Sequence, residues 1–139
     1  MILLDTNVLS ALMRQAPDVE VIQWLDRQPR HSVWTTSITV FEIRFGLQVM
    51  ATGKRRTSLM SAFEHLLDDL IQQRVAHFDS AAAQKAADLM AARQKQGRPG
   101  ELRDTMIAGI AQASHATLAT RNVKHFEDLA SSLVNPWDR

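Results

Sequence analysis

Three carboxylate residues, Asp5, Glu42 and Asp104, stand beside apolar segments of this sequence of 139 residues. Carboxylates in apolar surroundings are costly unless they are paired, and a divalent cation compensates several of them at once. Asp5 directly follows the apolar residues 1–4, which are typical of a short buried strand. An acid in that place lies at the carboxyl edge of a sheet, where open α/β proteins build their sites. The alternative is that Asp5 only caps the helix that follows, a common role for aspartate.

Glu42 lies on a helix predicted at residues 37–50. An apolar stripe passes beside it at helical spacing, formed by Ile38, Phe41, Phe45 and Val49. This spacing predicts that the stripe and Glu42 face the core. The alternative is a capping box, in which Thr39 caps the helix and Glu42, three residues later, turns back to the backbone.

Asp104 heads a helix predicted at residues 104–114, and apolar residues follow it at i+3, i+4 and i+7. Asp104 therefore stands at the start of a buried stripe. The alternative is a solvated acid that complements the helix dipole. The adjacent Glu101 and Arg103 are expected to be ordinary exposed charges.

Together the three acids predict a metal site. Each stands where a strand or helix end directs it to the same edge of a sheet, and carboxylates brought together there repel one another. The ligands would be oxygen atoms, and the sequence contains no cysteine. This donor set predicts Mg²⁺ or Mn²⁺ rather than zinc.

A fourth polar segment follows the last clear strand of the sequence. In it, Thr120 and Asn122 can hydrogen-bond the carboxylates, and Arg121 or Lys124 can meet a phosphate. His125 can bind a metal, directly or through water, or lie on the surface.

Strand and helix patterns alternate along the whole chain. Strands are predicted at residues 1–4, 32–36, 75–78, 117–120 and, minimally, 133–134. Helices are predicted at residues 8–13, 19–28, 37–50, 54–71, 81–96, 104–114 and 123–129. This alternation is typical of an α/β fold with a parallel sheet flanked by helices. We expect one domain over residues 1–139.

Composition limits the classes of protein that fit. The formal net charge is only +1, so any surface that binds nucleic acid must be local. The absence of cysteine excludes disulfides and thiol chemistry. No apolar run has the length of a signal peptide or of a membrane span. We therefore expect a soluble cytoplasmic protein with no membrane partner.

Four short motifs in order resemble the signature regions of PIN-domain ribonucleases, and within them the VapC-type toxins of bacterial toxin–antitoxin operons. They are Leu4-Asp5-Thr6-Asn7, Thr39-Val40-Phe41-Glu42-Ile43, Asp104-Thr105-Met106-Ile107-Ala108 and Thr120-Arg121-Asn122. Each motif is weak alone, whereas four at these spacings are specific. The resemblance covers almost the whole chain and implies a PIN-like three-layer α/β/α fold with four to five parallel strands.

The resemblance also implies an activity and partners. A relative of this kind would be a Mg²⁺- or Mn²⁺-dependent endoribonuclease, inhibited by a small cognate antitoxin protein that points a basic side chain into the acid cluster. Toxin homodimers are implied as well. The helices at residues 37–50 and 54–72 are candidates for both protein surfaces, although such stripes are more often plain core.

The resemblance assigns roles to individual residues. Asp5, Glu42 and Asp104 would be metal ligands, and Asn122 and Thr6 would orient them. The sequence departs from the family at His125, where many members carry a fourth acid. His125 is therefore predicted as a metal ligand or as a residue that supports one, and a full second metal site is in question.

Candidates for contacts with the RNA backbone are the basic run Lys54-Arg55-Arg56 and Arg98, although a solvated charged turn explains such residues more often.

Two other classes of function compete with the nuclease. Another Mg²⁺-dependent phosphotransfer enzyme, such as a phosphatase or a receiver domain, would need an acid where Asn7 stands or an acid pair after the first strand. The other class is a catalytically silent PIN-fold binding module.

Overall fold

The computed structural model describes residues 1–138 and contains five strands and six α-helices. The strands are β1 (Ile2–Leu4), β2 (Val33–Thr36), β3 (Val75–Ala76), β4 (Thr117–Ala119) and β5 (Leu133–Val134). The helices are α1 (Thr6–Met13), α2 (Val19–Asp26), α3 (Ser37–Val49), α4 (Lys54–His65), α5 (Ser80–Lys95) and α6 (Leu102–Ser114). Short 3₁₀ segments occupy Arg30–Ser32 and Val123–Phe126, and a π-helical turn at Leu66–Leu70 extends α4.

All five strands are parallel and lie in the order β3-β2-β1-β4-β5. The first strand is therefore the central one. The chain moves outward from β1 to β2 and β3 on one side, and later crosses over to β4 and β5 on the other. A crevice forms beyond the carboxyl ends of β1 and β4, because the connections from the central strands depart to opposite sides there.

Side chains of β1 alternate between two hydrophobic cores, one on each face of the sheet. Leu4 packs with α1, α2, α3 and α4, and Leu3 packs with α5 and α6. Both leucines are fully buried. The predicted three-layer α/β/α fold is confirmed, and the predicted four to five strands are five.

The alanine-rich helix α5 packs closely against α6. A methyl group added at Gly109 of α6 would lie 2.5 Å from the carbonyl oxygen of Ala82 and 2.8 Å from the Cβ of Ala86. Small side chains on both helices therefore let the two backbones approach, and this contact fixes the helix that carries Asp104.

The predicted orientation of α3 is wrong. Phe41, Phe45 and Val49 are exposed to 56%, 53% and 67%, so the stripe beside Glu42 faces outward. The buried face of α3 is formed by Thr39, Ile43 and Leu47. Both stripes have helical spacing, and periodicity alone does not say which of two apolar faces meets the sheet.

Several predicted boundaries also differ. The strand predicted at residues 75–78 ends at Ala76, because the backbone N–H of Phe78 donates to the Ser37 hydroxyl instead of to a neighbouring strand. The helix predicted at residues 123–129 is a single 3₁₀ segment.

Within residues 1–138, every helix is too short or too polar to cross a lipid bilayer.

Candidate active site

Asp5 lies at the end of β1 and is 4% exposed. Its Oδ1 accepts a hydrogen bond from the backbone N–H of Thr6 at 2.8 Å, and its Oδ2 accepts one from the Thr120 hydroxyl at 2.7 Å. Asn7 Nδ2 lies 3.4 Å from the same Oδ2. Asp5 thus caps α1 and also lines the crevice at the carboxyl edge of the sheet, so capping does not exclude it from a site there.

Burial raises the pKa of Asp5 to about 6, although the hydrogen bonds from Thr120 and Thr6 oppose this effect. The negative charges of Asp104 and Glu42 contribute smaller parts of this increase. The three acids are therefore close enough to repel one another.

Glu42 is held by a residue of the first motif. Its Oε1 accepts a hydrogen bond from the Thr6 hydroxyl at 2.9 Å. Burial raises the pKa of Glu42 above its ordinary value, against the lowering effects of Thr6 and Arg103. The predicted capping box is absent, because α3 is capped by Thr36, whose hydroxyl accepts from the Thr39 N–H at 3.1 Å.

Asp104 lies in the first turn of α6, with 20% of its side chain exposed. The cap of this helix is Glu101, whose side chain accepts from the backbone N–H of Asp104 at 3.0 Å. The Asp104 carboxylate is therefore not used as a cap and contacts His125, with Nδ1 and Oδ2 2.9 Å apart.

The predicted residues converge on one cavity of about 390 Å³ at the carboxyl edge of the sheet. Its lining residues are Asp5, Thr6, Asn7, Ser10, Arg14, Glu42, Asp104, Arg121, Asn122 and Trp137. His125 borders the adjoining cavity of about 460 Å³, which shares Asp104 with the first and also contains Arg98. Among residues 1–138, no three His, Cys, Asp or Glu side chains are spaced closely enough to enclose a metal ion.

In the basic run Lys54-Arg55-Arg56, a candidate for RNA contacts, Arg56 makes hydrogen bonds within the protein. Arg56 donates to the carbonyl of Leu47 and to the side chain of Gln48, which ties α4 to the end of α3. Lys54 and Arg55 are exposed at the start of α4 and do not line either cavity.

Arg103 was expected to be an ordinary exposed charge, and the structure corrects this expectation. Its guanidinium lies 3.6 Å from Glu42 Oε2, 3.6 Å from Glu101 Oε1 and 5.9 Å from the ring centroid of Phe41. Within residues 1–138, Arg103 is the arginine or lysine whose ion pairs bring it nearest to the three acids. Its position directly before Asp104 was the only signal of this role in the sequence.

Arg93 is the buried residue that sequence reasoning missed. It is 5% exposed and makes two hydrogen bonds of 2.8 Å to the Asp128 carboxylate. Its other donors reach the Thr105 hydroxyl and the His125 carbonyl, both at 2.9 Å. Arg93 thus joins α5, the first turn of α6 and the segment that carries His125, and it holds the pKa of Asp128 below its ordinary value.

Comparisons with known proteins agree with this geometry. The model of the PIN domain family matches residues 2–131. The chain is 39% identical over 138 residues to the VapC ribonuclease Y4jK of Sinorhizobium fredii, with 99% of both chains covered. It is 33% identical over 137 residues to the toxin FitB of Neisseria gonorrhoeae, again with 99% of both covered. The crystal structure of FitAcB from Neisseria gonorrhoeae matches with a TM-score of 0.89 and 32% identity, covering 100% of each chain.

Proposed function

The chain belongs to the PIN domain family, and from this premise we propose that it is an endoribonuclease that acts as the toxin of a toxin–antitoxin pair. The relative from Sinorhizobium fredii is named a ribonuclease, and that from Neisseria gonorrhoeae is named a toxin. The observation that carries the proposal is the single cavity that Asp5, Glu42 and Asp104 line together.

Nucleases of this family generally depend on a divalent metal, and the residues of the cavity fit one. Burial and mutual repulsion raise the pKa of Asp5, and burial raises that of Glu42, so the charged forms of these acids are costly here and a nearby cation would stabilise them. The donor atoms are carboxylate oxygens, which favours Mg²⁺ or Mn²⁺. The ion would activate water and stabilise charge on the phosphate.

The ligand roles are distributed over the cavity. Asp5, Glu42 and Asp104 would bind the ion, and His125 would bind it or support Asp104. Arg103 lies 3.6 Å from Glu42, and His125 lies 2.9 Å from Asp104. Among residues 1–138 these side chains are not spaced to enclose an ion, so binding would require the carboxylates to move closer together.

Neutral side chains orient these acids. Thr120 holds Asp5 by its hydroxyl, and Thr6 holds Glu42 in the same way. Asn122 lies at the edge of the cavity, and its backbone N–H donates to the Thr120 hydroxyl at 3.0 Å. Its side chain is therefore available for the RNA or for a metal-bound water.

The partners follow from the exposed face of α3. Phe41 and Phe45 stack on each other with ring centroids 6.3 Å apart, and Val49 continues this face. Exposed aromatic residues in contact with one another are typical of a protein interface. We assign this face to a small cognate antitoxin or to the second copy of a homodimer. We further propose that the protein acts on RNA in the cytoplasm. We also propose that residues 1–139 form one domain.

The test is cleavage of single-stranded RNA by the purified protein with Mg²⁺ or Mn²⁺, and with EDTA. Glu42→Gln should abolish cleavage, whereas Glu64→Gln, which changes the same residue type in an exposed ion pair with Arg44, should not. Undiminished cleavage in EDTA would refute the metal site. RNA binding without cleavage under all conditions would favour the silent binding module.

A further inference from the structure

Arg121 and Trp137 form a stack on the wall of the candidate active-site cavity. The Cζ atom of Arg121 lies over the Trp137 ring, 4.7 Å from its centroid. Both residues line the same cavity of about 390 Å³ as the three acids. A guanidinium over an indole is a favourable cation–π contact, which holds the planar cation in a defined orientation.

Hydrogen bonds fix both members of the stack. The backbone N–H of Arg121 donates to Asn7 Oδ1 at 3.1 Å, which ties it to the motif that follows β1. The indole Nε1–H of Trp137 donates to Asp18 Oδ2 at 2.7 Å, and the Trp137 backbone N–H donates to Asn135 Oδ1 at 3.0 Å. The contact is thus anchored to the first turn of α1 on one side and to the N-cap residue of α2 on the other.

Arg121 remains open to the cavity despite these anchors. Its side chain is exposed, while Trp137 is half-buried beneath it. Among residues 1–138, the guanidinium of Arg121 makes no ion pair with a carboxylate, in contrast to that of Arg103, which pairs with Glu42. The guanidinium contacts the Trp137 ring, and Arg121 lines the same cavity as the acids.

Proteins that bind single-stranded RNA stack unpaired bases on aromatic rings or on arginine guanidinium planes. Such stacking tolerates any base, because every base presents a π-face. A planar cation that is held on a tryptophan beside a phosphodiester-cleaving site offers a surface of this kind.

We propose that the Arg121–Trp137 stack binds a nucleobase of the substrate adjacent to the phosphodiester that is cleaved. The three acids and their metal would then bind the phosphate, and the Arg121–Trp137 stack would bind the base. This inference rests on the proposed ribonuclease function and adds to it a residue pair that positions the nucleotide.

The experiment compares AMP with ribose 5-phosphate in the presence of Mg²⁺, by NMR titration of the full chain. The two probes carry the same phosphate and sugar type, so their ratio of affinities reports the base alone. Wild type should bind AMP about 5-fold to 150-fold more tightly, the range expected for one stacked base. The indole N–H signal of Trp137 should shift with AMP and not with ribose 5-phosphate.

Three substitutions make the test specific. Arg121→Ala should reduce the affinity for AMP to that for ribose 5-phosphate. Arg121→Lys should do the same, because lysine keeps the charge and lacks the planar group. Arg14→Ala is the matched control, since Arg14 is an exposed arginine of the same cavity without an aromatic contact, and it should keep the preference for AMP.

Equal binding of both probes by wild type would overturn the inference. A preference for AMP that survives in Arg121→Lys would overturn it too, because the base would then be bound without the guanidinium plane. Failure of the proposed function is separate, because it appears as the absence of RNA cleavage. A preference for AMP that depends on Arg121 in a protein that cleaves no RNA would support the nucleotide site and refute the nuclease.

Discussion

His125 Nδ1 lies 2.9 Å from Asp104 Oδ2, so the residue that departs from the usual four-acid pattern contacts one of the three acids directly. An imidazole there offers Asp104 a hydrogen bond, whereas a fourth carboxylate would repel it. The departure at His125 therefore lowers the electrostatic cost of the metal-free site.

The first prediction concerns His125→Asp. The added carboxylate should lower the melting temperature of the metal-free protein by like-charge repulsion, and it should increase the stabilisation that Mn²⁺ produces, because a ligand that binds the folded state more tightly stabilises it more. Thermal unfolding with and without Mn²⁺ measures both effects.

His65→Asp is the matched control for this substitution. His65 faces Asp69 at 3.3 Å on the π-helical turn, where both side chains are 76% exposed. It should leave the Mn²⁺-induced increase unchanged. An equal increase in both variants would remove His125 from the metal site.

The second prediction concerns pH and Asp5. The pKa of Asp5 in the folded protein, about 6, exceeds its ordinary value of 3.8. The folded state therefore binds this proton more tightly than the unfolded state, and the stability that protonation gives is lost as pH rises through about 6. At about 1.4 kcal/mol per pKa unit, the full difference is about 3 kcal/mol.

Asp5→Asn lacks this titration. Relative to the variant, the metal-free wild type should lose about 1 kcal/mol of unfolding free energy between about pH 5 and about pH 7.5. Urea unfolding at the two pH values in EDTA gives the comparison. A difference that does not change with pH would show that burial does not perturb Asp5.

The third prediction concerns Arg103, the cation that faces Glu42. Arg103→Ala should tighten Mn²⁺ binding about twofold to fivefold, because a partly exposed ion pair contributes up to about 1 kcal/mol and the metal no longer competes with it. Isothermal titration calorimetry without RNA measures the affinity. Arg44→Ala, which removes the same charge from the exposed pair with Glu64, should have no effect.

The fourth prediction compares two arginines. Arg93→Met removes the buried partner of an ion pair with Asp128, which is 41% exposed, and leaves the Thr105 hydroxyl without its donor, so it should cost about 2 kcal/mol. Arg44→Met breaks an ion pair whose side chains are about half exposed and should cost less than about 1 kcal/mol. Similar costs in urea unfolding would show that Arg93 does not organise the site.

The fifth prediction concerns the exposed face of α3. Phe45→Glu should weaken self-association or antitoxin binding without lowering stability, because the side chain is 53% exposed in the isolated chain. Sedimentation analysis and thermal unfolding measure the two effects. The same substitution at the buried Phe63 should unfold the protein, which separates a surface role from a core role.

The sequence predicted the fold, and it predicted that Asp5, Glu42 and Asp104 lie together at one edge of the sheet, because these signals are local. A short apolar run before Asp5, polar residues after strands and alternating periodicities are all visible within a few positions. The roles of Arg93 and Arg103 were not visible, since their partners lie 35 and 61 positions away in the chain. The sequence likewise did not show which of the two apolar stripes of α3 packs against the sheet, because tertiary packing decides this orientation.

The central position of β1 has a consequence for synthesis. The hydrogen bond between Asp5 and Thr120 joins positions 115 residues apart, and β1 pairs with β4, which is translated late. A nascent chain on the ribosome lacks the second neighbour of its central strand until that segment has emerged. The acid site can therefore assemble only after most of the chain, including β4 and Thr120, has been made.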